Sequence, residues 1–241
     1  MNDNLFIKKI IFEREKVIDF EQYPFNIEII KKLHELTITS PVTFLIGENG
    51  IGKSTFIEAI AVSLGLNAEG GTQNFNFSTK NTTSELSNYF IIPKYNYPKT
   101  KFFLRAETFY NVASEIDNLE IDNYYGGSLH ECSHGESFLR LIQNRFTQNG
   151  LYILDEPESA LSPQSQMSLL YLIDELVKQG SQFIIATHSP ILISYYKGKI
   201  LDLSNNFNEI KYEDTDIYKI YKLYLDDAEG MQKRLFQDNE E

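Results

Sequence analysis

The sequence predicts an α/β layered fold with a largely parallel sheet, and three observations carry that expectation. Three short apolar runs, PVTFLIG at 41–47, LYIL at 151–154 and FIIA at 183–186, have the length and residue types of buried strands. The first two are each followed by a stretch with apolar residues at helical spacing. Each run ends in residues with chemistry: a glycine loop after the first, Asp155 and Glu156 after the second, Thr187 and His188 after the third. In a parallel sheet those ends share one edge, where ligands bind.

The elements follow in order. LFIKKIIFE near the start reads as a strand, and PVTFLIG as the first buried one. GKSTFIEAIAVSLGL then places Phe56, Ile57, Ile60, Ala61 and Leu64 on one helical face. The polar stretch Asn67 to Leu86 reads as a loop-rich insertion, with its alternating NFNFST core as a short strand. Ser133 followed three residues later by Glu136 is a capping-box pattern; Phe138, Leu141, Ile142, Arg145 and Phe146 define one face of the helix it opens. After the strand Leu151 to Leu154, SPQSQMSLLYLIDELVKQG starts at a Ser-Pro turn, carries Met167, Leu170, Tyr171 and Leu172 in an apolar stretch, and ends at Gly180. Ile217, Ile220, Tyr221, Tyr224 and Leu225 mark a last amphipathic helix, expected to pack that face inward.

Composition bounds the rest. A chain of 241 residues with 42% hydrophobic content can bury a substantial core within one domain. No apolar run reaches the roughly 18 to 20 residues that span a bilayer, and MNDNLFIKKIIFERE lacks the apolar core of a signal peptide, so a cytoplasmic protein without membrane insertion is expected. Its one cysteine, Cys132, excludes an intrachain disulfide. A net charge of -12 disfavours broad contact with DNA or anionic membrane, and the acids from Glu209 to Glu241 read as a solvated face.

The chemistry concentrates in two stretches. GENGIGKST, residues 47–55, satisfies G-x-x-x-x-G-K-[ST] between a strand and a helix. Its glycines let the backbone turn N–H groups of Asn49, Gly50, Ile51, Gly52, Lys53, Ser54 and Thr55 toward phosphates, and the helix start adds about half a positive charge. Lys53 is placed to reach β and γ phosphates and Ser54 to ligate Mg²⁺. LYILDEPE delivers two acids to the same edge: Asp155 to hold Mg²⁺, and Glu156 to polarise the attacking water. His188 in ATHSP emerges there too, placed to contact a γ phosphate.

HECSHGES, residues 130–137, contains the zinc-protease pattern H-E-x-x-H. That chemistry needs both imidazoles one turn apart on a single helix. With Ser133 as the helix cap, His130 falls outside and the pairing is lost. A helix opening at Ser133 instead presents free N–H groups to an anion.

In this order, GENGIGKST, SHGES, DEPESALS and ATHSP resemble the Walker A, signature, Walker B with D-loop, and switch-histidine motifs of ABC-type ATPases, over most of the chain. FLRAETFYNV, SHGESF, DEPESALSP and FIIATHSPIL are similar to compact, stand-alone bacterial members of that superfamily. The resemblance implies an α/β P-loop NTPase built as an ABC-type ATPase head, with a mostly parallel core sheet and N-terminal antiparallel strands. A helical subdomain at about residues 87–150 would be inserted in a single domain spanning 1–241. It implies ATP and Mg²⁺ as cofactors, and an ATP-dependent homodimer in which Ser133, Gly135 and Glu136 face the γ phosphate of the partner subunit's nucleotide. Ser159, Ala160 and Leu161 would form the D-loop. Three residues depart from the usual pattern: His134 in place of the first signature glycine, Ser162 at the D-loop end, and Glu107 in RAETF where a glutamine is usual. Glu107 is expected to sense Mg²⁺ or the attacking water. Phe12, Tyr23 and Phe25 are candidates to stack on adenine, each read first as a core residue.

The expected function is a soluble ATPase whose dimer drives or regulates an unidentified effector protein or nucleic acid. No long coiled-coil heptads separate the Walker A and signature motifs, which excludes a full-length long-armed ATPase. The alternative is the nucleotide-binding subunit of an ABC transporter with separately encoded membrane subunits; a switch that binds ATP without turnover is a third reading.

Overall fold

A computed structural model describes residues 5–68, 70–71, 85–109 and 134–237. The expected NFNFST strand, and His130, Cys132 and Ser133, lie outside those residues. In chain order the strands are β1 (Lys9–Phe12), β2 (Glu35–Thr37), β3 (Val42–Ile46), β4 (Phe90–Ile91), β5 (Thr100–Arg105), β6 (Gly150–Asp155), β7 (Gln182–Ala186), β8 (Lys199–Asp202) and β9 (Asn208–Ile210). The helices are α1 (Glu28–Lys32), α2 (Lys53–Ser63), α3 (His134–Arg145), α4 (Pro163–Lys178), α5 (Pro190–Ile193), α6 (Asp216–Asp226) and α7 (Ala228–Gln237).

The central sheet runs β5-β6-β7-β3-β8-β9, parallel except at β9. β3, β6 and β7 are buried on both faces, which is why they read as continuous apolar runs. Their alternation still sorts side chains. Tyr152, Leu154, Phe183 and Ile185 join a core with α3, α4 and α5; Leu151, Ile153, Ile184 and Ala186 join a second core on the opposite side with α2 and the N-terminal segment. That segment supplies a three-stranded antiparallel sheet, β2-β1-β4. It is tied to the central sheet by buried Gln182, whose Oε1 accepts from Phe6 and Ile7 N–H at 2.9 Å each while its Nε2 donates to Ile7 C=O at 2.8 Å.

Of the segment expected to be a subdomain, residues 90–91 and 100–105 belong to the two sheets and α3 packs on the central sheet's core. Phe138, Leu141, Ile142 and Phe146 form the buried face of that packing, as their spacing predicts. The helix starts at His134, immediately after the expected cap.

Two helix faces differ from the sequence reading. α4 buries Gln166, Leu169, Ile173 and Leu176, whereas Met167 is 56% and Tyr171 72% exposed. A helix touching one layer buries a single stripe at i, i+3, i+7 and i+10, and Met167 and Tyr171 stand about 140° and 180° around from its centre. α6 buries none of its residues, with Ile220 63% and Leu225 74% exposed. Ile217 packs on the core, and Ile220 and Tyr221 line the cavity beside Gly47 and Glu156.

Candidate functional site

Register brings the functional residues together. Across β5-β6-β7-β3 the pairs Arg105↔Asp155, Asp155↔Ala186 and Leu45↔Ala186 align the carboxyl ends of four strands, so the loop after β3, the acids after β6 and the turn after β7 share one edge.

The loop from Gly47 to Gly52 carries the chain from β3 into α2. Gly50 and Gly52 take φ of +80° and +103°, a left-handed region costly for other residues. At Gly52 a Cβ would also stand 2.6 Å from Ile27 Cγ2. Lys53 opens α2 and is buried, its Nζ donating to Gly47 C=O and Glu48 C=O at 3.0 Å each. Burial lowers its pKa, opposed by the charges of Glu156, Asp155 and Glu158. The ammonium is thus held by the loop's own carbonyls at the place where phosphate oxygens would compete for it.

Next along α2, the Ser54 hydroxyl donates to Asp155 Oδ1 at 3.2 Å, a bond across 101 residues that joins the two motifs. Asp155 is 2% exposed. Burial pushes its pKa up to about 6, Arg105 pulling the other way and Glu156 adding to the rise. A half-buried hydroxyl and a buried carboxylate oxygen facing each other beside the Gly47–Gly52 loop are a donor set suited to Mg²⁺, a hard cation that usually takes one or two carboxylates and completes its shell with substrate phosphates and water. Among the described residues no group of three or more His, Cys, Asp or Glu stands where it could cage a metal by itself.

Glu156 turns out of the strand in a left-handed conformation, φ 48° and ψ 50°, with its N–H bonded to Ala186 C=O at 2.9 Å. A non-glycine residue held there costs about 1 to 3 kcal/mol, which the neighbouring strands sustain. The turn separates Glu156 from Asp155 and leaves its half-buried carboxylate 3.9 Å from His188 Nε2. That nitrogen is buried without a hydrogen-bond partner among the described residues. Burial, then Lys53, lowers the His188 pKa against the pull of Glu156, favouring neutral imidazole.

Two residues of this edge escape a reading by motif. Glu158 accepts Thr187 Oγ1 at 2.7 Å and the His188 backbone N–H, locking the histidine turn to the segment after β6. Arg105 ends β5 with its Nε 3.1 Å from Asp155 Oδ2 and its Nη1 2.9 Å from Glu58 Oε2 on α2. Its only sequence signal is a lone basic residue closing the apolar run FFL.

The other expected site residues stand apart from this cluster. The Glu107 side chain is 78% exposed, 4.0 Å from Arg105 Nε. Gly135 lies against Ala160 C=O, where a Cβ would come to 3.1 Å, and neither it nor exposed Glu136 lines the cavity of about 740 Å³ that opens beside Gly47, Asn49, Glu156 and His188. Phe12 and Phe25 are buried, as expected of core residues. Tyr23 is not: it is 67% exposed, and its hydroxyl is 3.4 Å from Thr55 Oγ1 at the end of the phosphate loop. The chain around it runs outside the core, so aromatic character alone gave the wrong environment.

Known proteins share parts of this sequence. Residues 129–194 match the family described as "AAA domain, putative AbiEii toxin, Type IV TA system". A Haemophilus influenzae protein named "Uncharacterized ABC transporter ATP-binding protein" is 28% identical over 68% of this chain and 70% of its own length. A Pyrococcus furiosus "Putative ABC transporter ATP-binding protein" is 32% identical over 39% of this chain and 36% of its own length. Among solved structures, an ATP-binding cassette of an ABC transporter, MJ1267, superposes with a TM-score of 0.47 at 17% identity, covering 90% of this chain and 99% of that one.

Proposed function

We propose, from the premise that this chain is an ATPase of the ABC superfamily, that it works in the cytoplasm as an ATP-sandwiched dimer whose closing and opening act on a separate effector. The observation that carries the site reading is the Ser54 to Asp155 hydrogen bond, which joins the phosphate loop to the acidic strand end with Lys53, Glu156 and His188 around it.

In this reading Lys53 exchanges the carbonyls of Gly47 and Glu48 for the β and γ phosphates of ATP, and the amides of residues 49–55 at the start of α2 hold the remaining phosphate oxygens. Tyr23, exposed beside Thr55, stacks on the base. Ser54 and Asp155 would hold Mg²⁺, with Glu107 turning toward it; the ion supplies charge neutralisation for the transferred phosphoryl group. Glu156 orients the attacking water and takes its proton as oxygen bonds to the γ phosphorus and the bond to the β–γ bridging oxygen breaks. Neutral His188, whose Nε2 has no partner among the described residues, donates to a γ phosphoryl oxygen. Glu158 keeps that imidazole in place.

The signature residues complete the site from the second subunit. The start of α3 next to Ser133, with Gly135 and Glu136, turns the positive end of a helix toward the partner's γ phosphate. That Gly135 and Glu136 do not line this chain's own cavity supports action in trans. Mixing Ser133→Arg chains with Lys53→Ala chains tests this: one intact composite site restores part of the activity, and no recovery at any ratio rejects the shared site.

The enzyme assay is phosphate release by wild type and Glu156→Gln. The variant should bind ATP and lose turnover by 100-fold or more; an inactive wild type would leave a binding-only switch. The names of the relatives support a second reading, a transporter's nucleotide-binding subunit. Among the described residues no helix is long and apolar enough to cross a membrane, so that role requires a separate membrane partner, detectable by co-purification in detergent.

A further inference from the structure

The guanidinium of Arg105 stands among three carboxylates. Asp155 Oδ2 is 3.1 Å from Nε, Glu58 Oε2 is 2.9 Å from Nη1, and Glu107 Oε2 is 4.0 Å from Nε. The side chain is 16% exposed, those of Asp155 and Glu58 3% and 12%. Asp155 and Glu107 are the two acids that the function above assigns to Mg²⁺, and Glu58 rides on the helix that carries Lys53 and Ser54. One fixed cation therefore hydrogen-bonds one candidate metal acid and the helix that carries Lys53, with the second acid 4.0 Å away.

A bystander ion pair would explain the contact with Asp155 alone. The three-way arrangement does more. Arg105 engages one Asp155 oxygen, while Ser54 engages the other, so the carboxylate is aimed at Ser54 before any ligand arrives. A guanidinium within 4.0 Å of both acids also repels any second cation drawn to them. Nucleotide phosphates bring the negative charge that offsets this repulsion.

We propose that Arg105 is a positioning residue that stands in for the divalent cation: it holds Asp155 while no nucleotide is bound and, with Glu107 also within 4.0 Å, makes the site reject free metal, so that metal enters only with nucleotide. The proposal rests on Asp155 being the metal acid, but its test does not depend on hydrolysis.

The test is Mn²⁺ binding by electron paramagnetic resonance, without nucleotide at pH 8, for wild type, Arg105→Lys and Arg105→Gln. Wild type and the lysine variant, which keeps the charge, should bind Mn²⁺ weakly. Arg105→Gln should bind it at least about tenfold more tightly. Fluorescent ATP-analogue binding measured alongside should show a weaker Mg²⁺ enhancement in Arg105→Lys than in wild type, because a single ammonium cannot hold Asp155 and Glu58 as the fork does. If Arg105→Gln is unfolded by circular dichroism, the double variant Arg105→Gln/Glu58→Gln removes the stranded buried acid and is measured instead. Mn²⁺ affinity of the folded neutral variant equal to or weaker than wild type overturns the proposal. Failure of the ATP analogue to bind wild type would instead reject the ATPase reading.

Discussion

Replacing Asp155 by asparagine should stabilise the nucleotide-free protein, and the gain should grow with pH. The fold raises the Asp155 pKa from 3.8 to about 6. At about 1.4 kcal/mol per tenfold change in proton affinity, ionising this carboxylate in the fold costs about 3 kcal/mol more than in the unfolded chain. The sign follows from proton counts: between pH 4 and 6 the folded state binds more protons than the unfolded one, so stability falls as pH rises and the loss is complete above about pH 6. Asparagine keeps the shape without the charge. The advantage of Asp155→Asn should be about 1.5 kcal/mol at pH 5 and about 3 kcal/mol at pH 8, or roughly 6 to 12 °C in Tm at the higher pH. Thermal and urea unfolding in EDTA, without nucleotide, measure it. A variant less stable than wild type at pH 8, or a gap that does not change between pH 5 and 8, would refute the reasoning. Mg²⁺ with a non-hydrolysable ATP analogue should narrow the gap, since it stabilises wild type more.

Other outcomes follow from the same geometry. Gly52→Ala meets both a left-handed backbone and Ile27 at 2.6 Å, so it should destabilise by about 2 to 4 kcal/mol in urea unfolding and abolish binding of a fluorescent ATP analogue. Tyr23→Ala should weaken that binding about tenfold while Tyr23→Phe keeps it, because the ring rather than the long 3.4 Å hydroxyl contact is proposed to matter. Ile220→Lys should leave Tm within about 2 °C of wild type, since the side chain is 63% exposed; a large loss would mean that α6 is covered in solution.

What the sequence disclosed and what it withheld divide along a physical line. β3, β6 and β7 were legible because strands buried on both faces must be apolar throughout, and the residues that interrupt them, Gly47, Asp155, Thr187 and His188, stand at the sheet edge. The turn between β3 and α2 was legible because its glycines answer a backbone demand: Gly50 and Gly52 carry positive φ. The buried stripe of α4 was less legible. Met167, Leu170, Tyr171 and Leu172 are more apolar than Gln166, yet Gln166 is buried because its amide bonds Leu161 C=O and the Ser189 hydroxyl, tying the segment after the acids to the cap of α5. Hydrophobicity cannot announce a polar residue whose burial is repaid by hydrogen bonds.

Arg105 belongs to the same class, and it shows why the chemistry of such a site is only half written in motifs. GENGIGKST and LYILDEPE name groups proposed to meet a ligand, and ligands impose spacing that a reader can recognise. The groups that hold those residues in place answer to a tertiary position: Arg105 faces Asp155 because β5 and β6 run parallel in register, and reaches Glu58 because α2 packs across β6. Neither pairing has a fixed sequence separation. Glu158 repeats the pattern, two residues past Glu156 in the chain but bonded to Thr187 and His188 across the sheet edge. If Arg105 sets how Asp155 is held before ATP arrives, then exchanging it should alter the metal affinity of the empty site while leaving GENGIGKST, SHGES, DEPESALS and ATHSP intact. A variant that keeps all four motifs yet loses metal selectivity is therefore the sharpest check on this separation between residues that meet the ligand and residues that prepare the site for it.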